Sequence, residues 1–338
     1  MRLFSRFADN APDLPLFPDK QLKSMLNAVI AIPNAESLPT PNSRKTCALA
    51  IMLLQCQRLP ESVLMPCRDR IAFALKRGIS GELGKEGKKG STSDGLKVCL
   101  LCHFMPHIPH SHAILQAIHD LSLAQPCVFV PPFTTGVFLR AILQNLLAPT
   151  CGLRVQAAHA LGGLAHALAS LPATALHTTV SDLVVQYLIT PAPPSPAKAG
   201  KLAAPSQVPR DSSIVRTLRI TMTTTDATQI GQSAVWGISV ISSLIILVGS
   251  RIYTHKKVCT LLVSLLKMGF KSKKNSIRFL TNISWRTLTW AYFQPDYDAL
   301  RDDGEDEKTE DEESSGEDDK EVKAKTREAY FHLLQEVV

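Results

Sequence analysis

From Asn42 to Ser170 the chain is a succession of apolar stretches at helical spacing, each cut by Pro or Gly, with no strand-turn-strand pattern between them. Stretches of that kind bury their apolar faces by packing helix on helix. Candidate helices run over Lys20–Ile32, Asn42–Gln57, Glu61–Lys76 (with Pro66 as a kink or break), Leu96–Phe104, Ala113–Leu123, Thr135–Leu147, Leu153–Ser170 and Ala173–Leu188. Of the 338 residues 45% are hydrophobic but only 6% aromatic. A core of Leu, Ala, Val and Ile suits helices better than a β-sandwich.

Six prolines between Pro191 and Pro209 exclude regular structure there and mark an exposed linker. The expected organisation is an irregular segment over 1–42, a first helical block over 43–189, a linker over 190–211 and a second helical block over 212–295. An acidic disordered segment over 296–320 and a C-terminal helix over 321–338 follow. Two segments echo each other. Leu153-Arg154 is followed by Ala157, Leu161 and Leu164, and Ile277-Arg278 by Thr281, Trp285 and Leu288. Each pattern lays one stripe against a neighbour and leaves an Arg at the helix start, as in helical-hairpin repeats of the HEAT and armadillo kind. The expected fold is therefore all-α, a HEAT/armadillo-like α-solenoid.

The cysteines (Cys47, Cys56, Cys67, Cys99, Cys102, Cys127, Cys151 and Cys259) are too sparse for a disulfide scaffold and sit mostly in apolar runs. They indicate a reducing compartment. The first residues hold no apolar stretch of signal-peptide length, and Asp9 and Asp13 speak against an organelle presequence.

Cys99-Leu-Leu-Cys102-His103 has the spacing of c-type haem attachment, but it lies in the run Leu96–Met105, which reads as an ordinary buried helix, and no export signal accompanies it. Zinc is the second reading, through Cys99, Cys102, His107, His110 and His112; only four residues separate Cys102 from His107, too few to fold a finger between ligand pairs. Gly81–Thr92 lacks the glycine-lysine spacing and the preceding strand of a P-loop. No nucleophile elbow or carboxylate pair in an apolar setting occurs. The expectation is a non-enzymatic protein with no cofactor, no metal and no small-molecule substrate.

Charge is more informative. Between Asp302 and Lys320 there are twelve acidic and two basic residues, a local charge of −10, so the rest of the chain carries +17 beneath an overall +7. A body that basic favours a polyanionic partner. From Ala227 to Pro295 there is no acidic residue, and nine basic ones stand there: Arg251, Lys256, Lys257, Lys267, Lys271, Lys273, Lys274, Arg278 and Arg286. Lys271, Lys273, Lys274 and Arg278 fall at an inter-helix turn and the next helix start, where backbone N–H groups add to phosphate binding. These nine are the candidate DNA-binding residues, acting on the backbone without base readout. In the acidic segment Thr309, Ser314 and Ser315 each precede an acidic residue by three places, as an acidophilic kinase requires.

Ser233–Gly249 is apolar and followed by Arg251, Lys256 and Lys257. Its length sits at the short limit for a membrane span, and a helix enclosed by neighbours in a solenoid has the same composition.

The second block also carries a resemblance. Trp236–Tyr253, Lys271-Ser-Lys-Lys274 before Ser276-Ile-Arg-Phe279, and Trp285-Arg-Thr-Leu-Thr-Trp290 resemble the N-terminal repeat region of the telomere-associated Rap-interacting factor family, fungal members especially. Gln57–Leu64 and Leu153–Ala158 are similar to earlier helices of that region, so the resemblance spans roughly 43–295. It implies a HEAT-like solenoid that binds DNA, as duplex or junction, without strong sequence preference. It also implies telomeric or chromatin protein partners, a nuclear and chromosomal location including telomeres, and roles in telomere length control, replication timing and repair choice. It makes Trp236–Gly249 an internal helix rather than a membrane anchor. The family's phosphatase-recruiting Arg/Lys-Val-x-Phe is not matched, since Arg154-Val-Gln-Ala157 and Lys97-Val-Cys-Leu100 lack the Phe. Two rival readings remain beside it: a protein-binding adaptor solenoid with no direct DNA contact, and a single-pass membrane protein anchored by 233–249.

Overall fold

The computed structural model describes residues 17–35, 59–80, 110–172, 174–191, 211–224 and 227–293, and among them all regular structure is helical. The all-α expectation holds for these residues, and their helix-on-helix packing is compatible with an α-solenoid. The expected helices at Asn42–Gln57 and Leu96–Phe104, most of the Pro-rich linker, the acidic segment and the C-terminal helix lie outside the described residues.

The chain divides into two units, Met1–Leu171 and Pro172–Val338. The division thus falls upstream of the Pro-rich stretch. The helix at Ala175–Ile189 packs on the helices after that stretch, because its buried Val180, Val184, Val185 and Leu188 need a partner face there.

In the first unit α1 (Asp19–Ala31) packs through Leu22, Leu26 and Ile30 on α2 (Glu61–Leu64) and α3 (Arg68–Ile79). Pro66 splits these last two with a 3-10 turn at Met65–Cys67, since proline offers no N–H to a continuous helix. Arg77 of α3 reaches back to donate to the carbonyls of Pro33 and Ala35 at 3.0 and 2.8 Å. The helix α4 (His110–Ala124) follows, then α5 (Pro126–Phe133), α6 (Gly136–Asn145) and α7 (Cys151–Ala169).

The helix α5 is not among the helices expected from the sequence, and Pro131 and Pro132 stand inside it. It forms because it is short and because Val128, Phe129, Val130 and Phe133 are wholly buried, so tertiary burial outweighs the lost backbone bonds. A bend of 81° separates α5 from α6. Phe129, Phe133 and Phe138 stack in succession around it, with centroids 5.5 and 4.7 Å apart.

In the second unit α8 (Ala175–Ile189), α9 (Ser213–Thr223), α11 (Lys256–Phe270) and α12 (Asn275–Phe293) all pack on α10 (Ala234–Val248), and α11 also meets α8 and α9. Ser233 caps α10, accepting from the Trp236 N–H at 3.5 Å. Gly249 ends it with φ 59° and ψ −144°, a conformation open to glycine alone, and turns the chain into a 3-10 segment, Gly249–Ile252. By length and composition Ala234–Ile252 is apolar enough to cross a membrane, yet 61% of that stretch is buried inside the protein. Helices pack on most of its surface and explain its apolarity, while Val235 and Ser239 mark the face left open to water.

The two echoing segments occupy corresponding helices. Each of α7 and α12 has 19 residues, and the echo begins at the third of each. Leu153, Ala157, Leu161 and Leu164 are buried against neighbours, as are Ile277, Thr281 and Leu288, with Trp285 half-buried beside Phe270.

Candidate nucleic-acid interface

The basic block falls on the hairpin of α11 and α12 and the connection before it. Along α11 the buried residues Val258, Cys259, Leu262, Val263, Leu265 and Leu266 turn inward. Lys256 and Lys257 are exposed, Lys267 is half-exposed, and Lys271 follows exposed at the C-cap. At 100° per residue Lys256, Lys267 and Lys271 share one narrow face, with Lys257 at its margin. Lysines about 20 Å apart along the axis thus belong to one solvent stripe.

Four residues then join α11 to α12, and a connection so short returns the chain antiparallel. Lys271, Lys273 and Lys274 are exposed in this turn. Its backbone is held from within: the Ser272 N–H donates to Gly269 O at 3.1 Å, and the Lys274 N–H donates to the Ser272 hydroxyl at 3.3 Å. The hairpin closes tightly because residue 269 is glycine. A Cβ there would stand 2.2 Å from Thr281 Oγ1 and 2.9 Å from its Cγ2.

On α12 the inward face is Ile277, Thr281, Ser284, Leu288, Ala291 and Tyr292. Ser284 meets Ser242 of α10, hydroxyl to hydroxyl, at 2.6 Å. The opposite face is exposed and carries Arg278, Asn282 and Arg286. Arg278 donates to the Asn275 side chain one turn earlier. Neither Arg278, Arg286, Lys271 nor Lys273 makes an ion pair with a described residue.

Arg251 stands apart from this set. It lies in the 3-10 segment and pairs with Asp182 of α8 at 3.3 Å, so its charge is compensated. His255 next to it is held below the ordinary imidazole range by burial first and by the Arg251 charge second, with Asp182 pulling the other way. It is therefore neutral near pH 7 and adds no positive charge to the surface. The structure brings together Lys256, Lys257, Lys267, Lys271, Lys273, Lys274, Arg278 and Arg286 on the outer faces of one hairpin, and it uses Arg251 to tie α8 to the segment before α11.

Sequence reasoning missed the apolar part of that surface. Phe279 is 67% exposed, and Ile283 and Trp290 are each 47% exposed. The echo pattern that marked 277, 281, 285 and 288 as the buried stripe leaves 279, 283, 286 and 290 on the outside, so the signal was present in the periodicity.

Cys99, Cys102, His103 and His107 lie outside the described residues, as do the side chains of His110 and His112 and the residues Thr309, Ser314 and Ser315. Among the described residues no three His, Cys, Asp or Glu side chains converge as for a metal ion. No known protein family, curated protein or solved structure matches the chain.

Proposed function

We propose that this chain is a non-enzymatic helical-repeat scaffold that binds the DNA backbone through the α11–α12 hairpin. The observation that carries the reading is the alignment of the lysine stripe of α11, the Lys271–Lys274 turn and the arginines of α12 on solvent faces, in a stretch with no carboxylate from Ala227 to Pro295. A surface built that way attracts any polyanion at long range, and each phosphate it neutralises releases counterions. Backbone contact without base readout fits a hairpin that offers no recognition helix of a known DNA-binding motif. The resemblance to the telomere-associated Rap-interacting factor family supports a nuclear, chromosomal site of action, at telomeres among others, with telomeric or chromatin proteins as partners.

The test is DNA binding by the full chain, titrated from low to moderate salt, against a variant with Lys271, Lys273 and Lys274 changed to Glu. The expected result is tight, sequence-indifferent binding whose dependence on salt flattens in the variant by about one unit of slope per lysine. A chain that binds no DNA at low salt overturns the reading and leaves a protein-binding adaptor in its place.

A further inference from the structure

We propose that the exposed face of α12 binds single-stranded nucleic acid, with Phe279 and Trp290 stacking unpaired bases while Arg278, Arg286 and the lysines of the preceding turn hold phosphates. The inference rests on the hairpin being a polyanion-binding surface and adds the class of polyanion.

The argument begins with what α12 does not need for folding. Its inward face packs on α10, α11 and the 3-10 segment, and Leu288, Ala291 and Tyr292 there are wholly buried. Phe279, Ile283 and Trp290 lie off that face and leave large apolar surfaces in water. They do not stand alone. Projected at 100° per residue, Arg278, Phe279, Asn282, Ile283, Arg286 and Trp290 fall within an arc of about 140°. Cations and ring faces thus alternate along one side of one rigid helix. Phe279 and Trp290 are about 16 Å apart along the axis, the length of about five nucleotides of a stacked strand.

Three polyanions can be compared on that geometry. A duplex satisfies the arginines and lysines but presents no base face, because its bases are stacked on one another. Phe279 and Trp290 then stay in water. An acidic peptide reaches the rings only if its apolar side chains and its carboxylates both happen to fall in register with α12. A single strand carries a planar base and a phosphate in every nucleotide, so each register offers rings to the aromatics and charge to the arginines. Asn275 and Asn282, both exposed on this side, supply amide groups to base edges without demanding a sequence.

The experiment uses the full chain, with fluorescence anisotropy of oligothymidine, oligouridine and a blunt duplex at low and at moderate salt. The decisive variant is Phe279→Leu with Trp290→Leu, which keeps apolar side chains and helix propensity and removes the π faces. Both sites are exposed, so unchanged circular dichroism and melting are expected of it. The pair should weaken binding to both single strands about tenfold or more and leave duplex binding within about twofold, while Trp290→Phe alone keeps single-strand binding within about twofold. Oligothymidine and oligouridine carry the same bases-and-phosphates chemistry, and the tighter of the two identifies the source. Equal affinity of the Leu pair and the unaltered chain for single strands overturns the inference, as does an equal loss on duplex. Displacement of the strands by polyglutamate in a way that needs the two rings also overturns it, in favour of an acidic protein partner. If the unaltered chain binds none of the probes at low salt, the polyanion reading itself has failed. If it binds duplex in a salt-dependent way and the Leu pair changes nothing, only base stacking has.

Discussion

His119 of α4 and His159 of α7 stack ring on ring across the helix interface, with centroids 4.0 Å apart and planes 10° from parallel. Asp120 Oδ1 stands 2.9 Å from His119 Nδ1 and accepts from Gln116 Nε2 at 2.7 Å. Two imidazoles that close cannot both be protonated cheaply. Burial first, and the charge of His119 second, hold His159 below its ordinary range, against the pull of Asp120. Because its folded pKa is lowered, the unfolded chain takes up the proton first. The stabilisation is complete above the unfolded imidazole pKa of about 6.5 and is lost as the pH falls below it. His159 is partly buried but more than a third exposed, so the loss is small, under about 1 kcal/mol. Urea unfolding on either side of that pKa should show the unaltered chain losing more stability at the acid side than His159→Gln does. Parallel pH dependence in the two proteins would show that the stack carries no linkage.

The same interface depends on Gly163. A Cβ at that position would lie 2.6 Å from the His119 ring and 3.1 Å from the His119 Cα. The ring can swing away but the backbone cannot. Replacing a helical glycine by alanine ordinarily gains about 1 kcal/mol. At Gly163 overpacking reverses the sign, and Gly163→Ala is expected to destabilise by about 1–3 kcal/mol, read as a fall in melting temperature.

Much of this was legible in the residues. The periodic apolar stretches marked the helices at Asp19–Ala31 and Cys151–Ala169 to within two residues, because period and burial agree there. The acid-free block likewise locates the basic hairpin from the sequence alone. What was not legible has tertiary causes. The helix α5 is hidden by Pro131 and Pro132, and only the burial of its phenylalanines makes it helical. Arg251 looks like a free cation in sequence and is tied to Asp182, 69 positions away, across an interface that spacing cannot reveal. The outward placement of Phe279 and Trp290 is a different case: the helical period of α12 carries it, and only a residue count hides it.

Ser181 of α8 donates to Val248 O at the end of α10 at 2.9 Å, and the bond is buried. It joins α8 to the helices beyond the Pro-rich stretch, across the linker over 190–211 that the sequence marks between two helical blocks. Ser181→Ala removes the bond without opening a large cavity, and a loss of about 1 kcal/mol is expected by denaturant titration. Asp182→Ala, one residue on, breaks a half-exposed pair with Arg251 and should cost less, about 0.5 kcal/mol. The reverse ranking would mean that charge rather than the buried hydroxyl secures α8.

Gly249 offers the sharpest separation of backbone strain from side-chain loss. Its φ of 59° with ψ −144° lies where a Cβ collides with the chain itself, whatever surrounds it. Gly249→Ala should therefore destabilise the protein by about 1–3 kcal/mol with no contact removed. Gly152 provides the control: it is exposed in the first turn of α7 with ordinary helical backbone, so Gly152→Ala should be neutral or stabilise by up to about 1 kcal/mol. Opposite shifts in melting temperature for the same chemical change would establish that α10 must break at Gly249 for the chain to reach α11. If Gly249→Ala instead melts like the unaltered chain, then α10 can run on past Val248. The apolar stretch Ala234–Ile252, already long enough for a span, would then be one continuous helix, and the membrane-anchor reading would gain an unbroken segment.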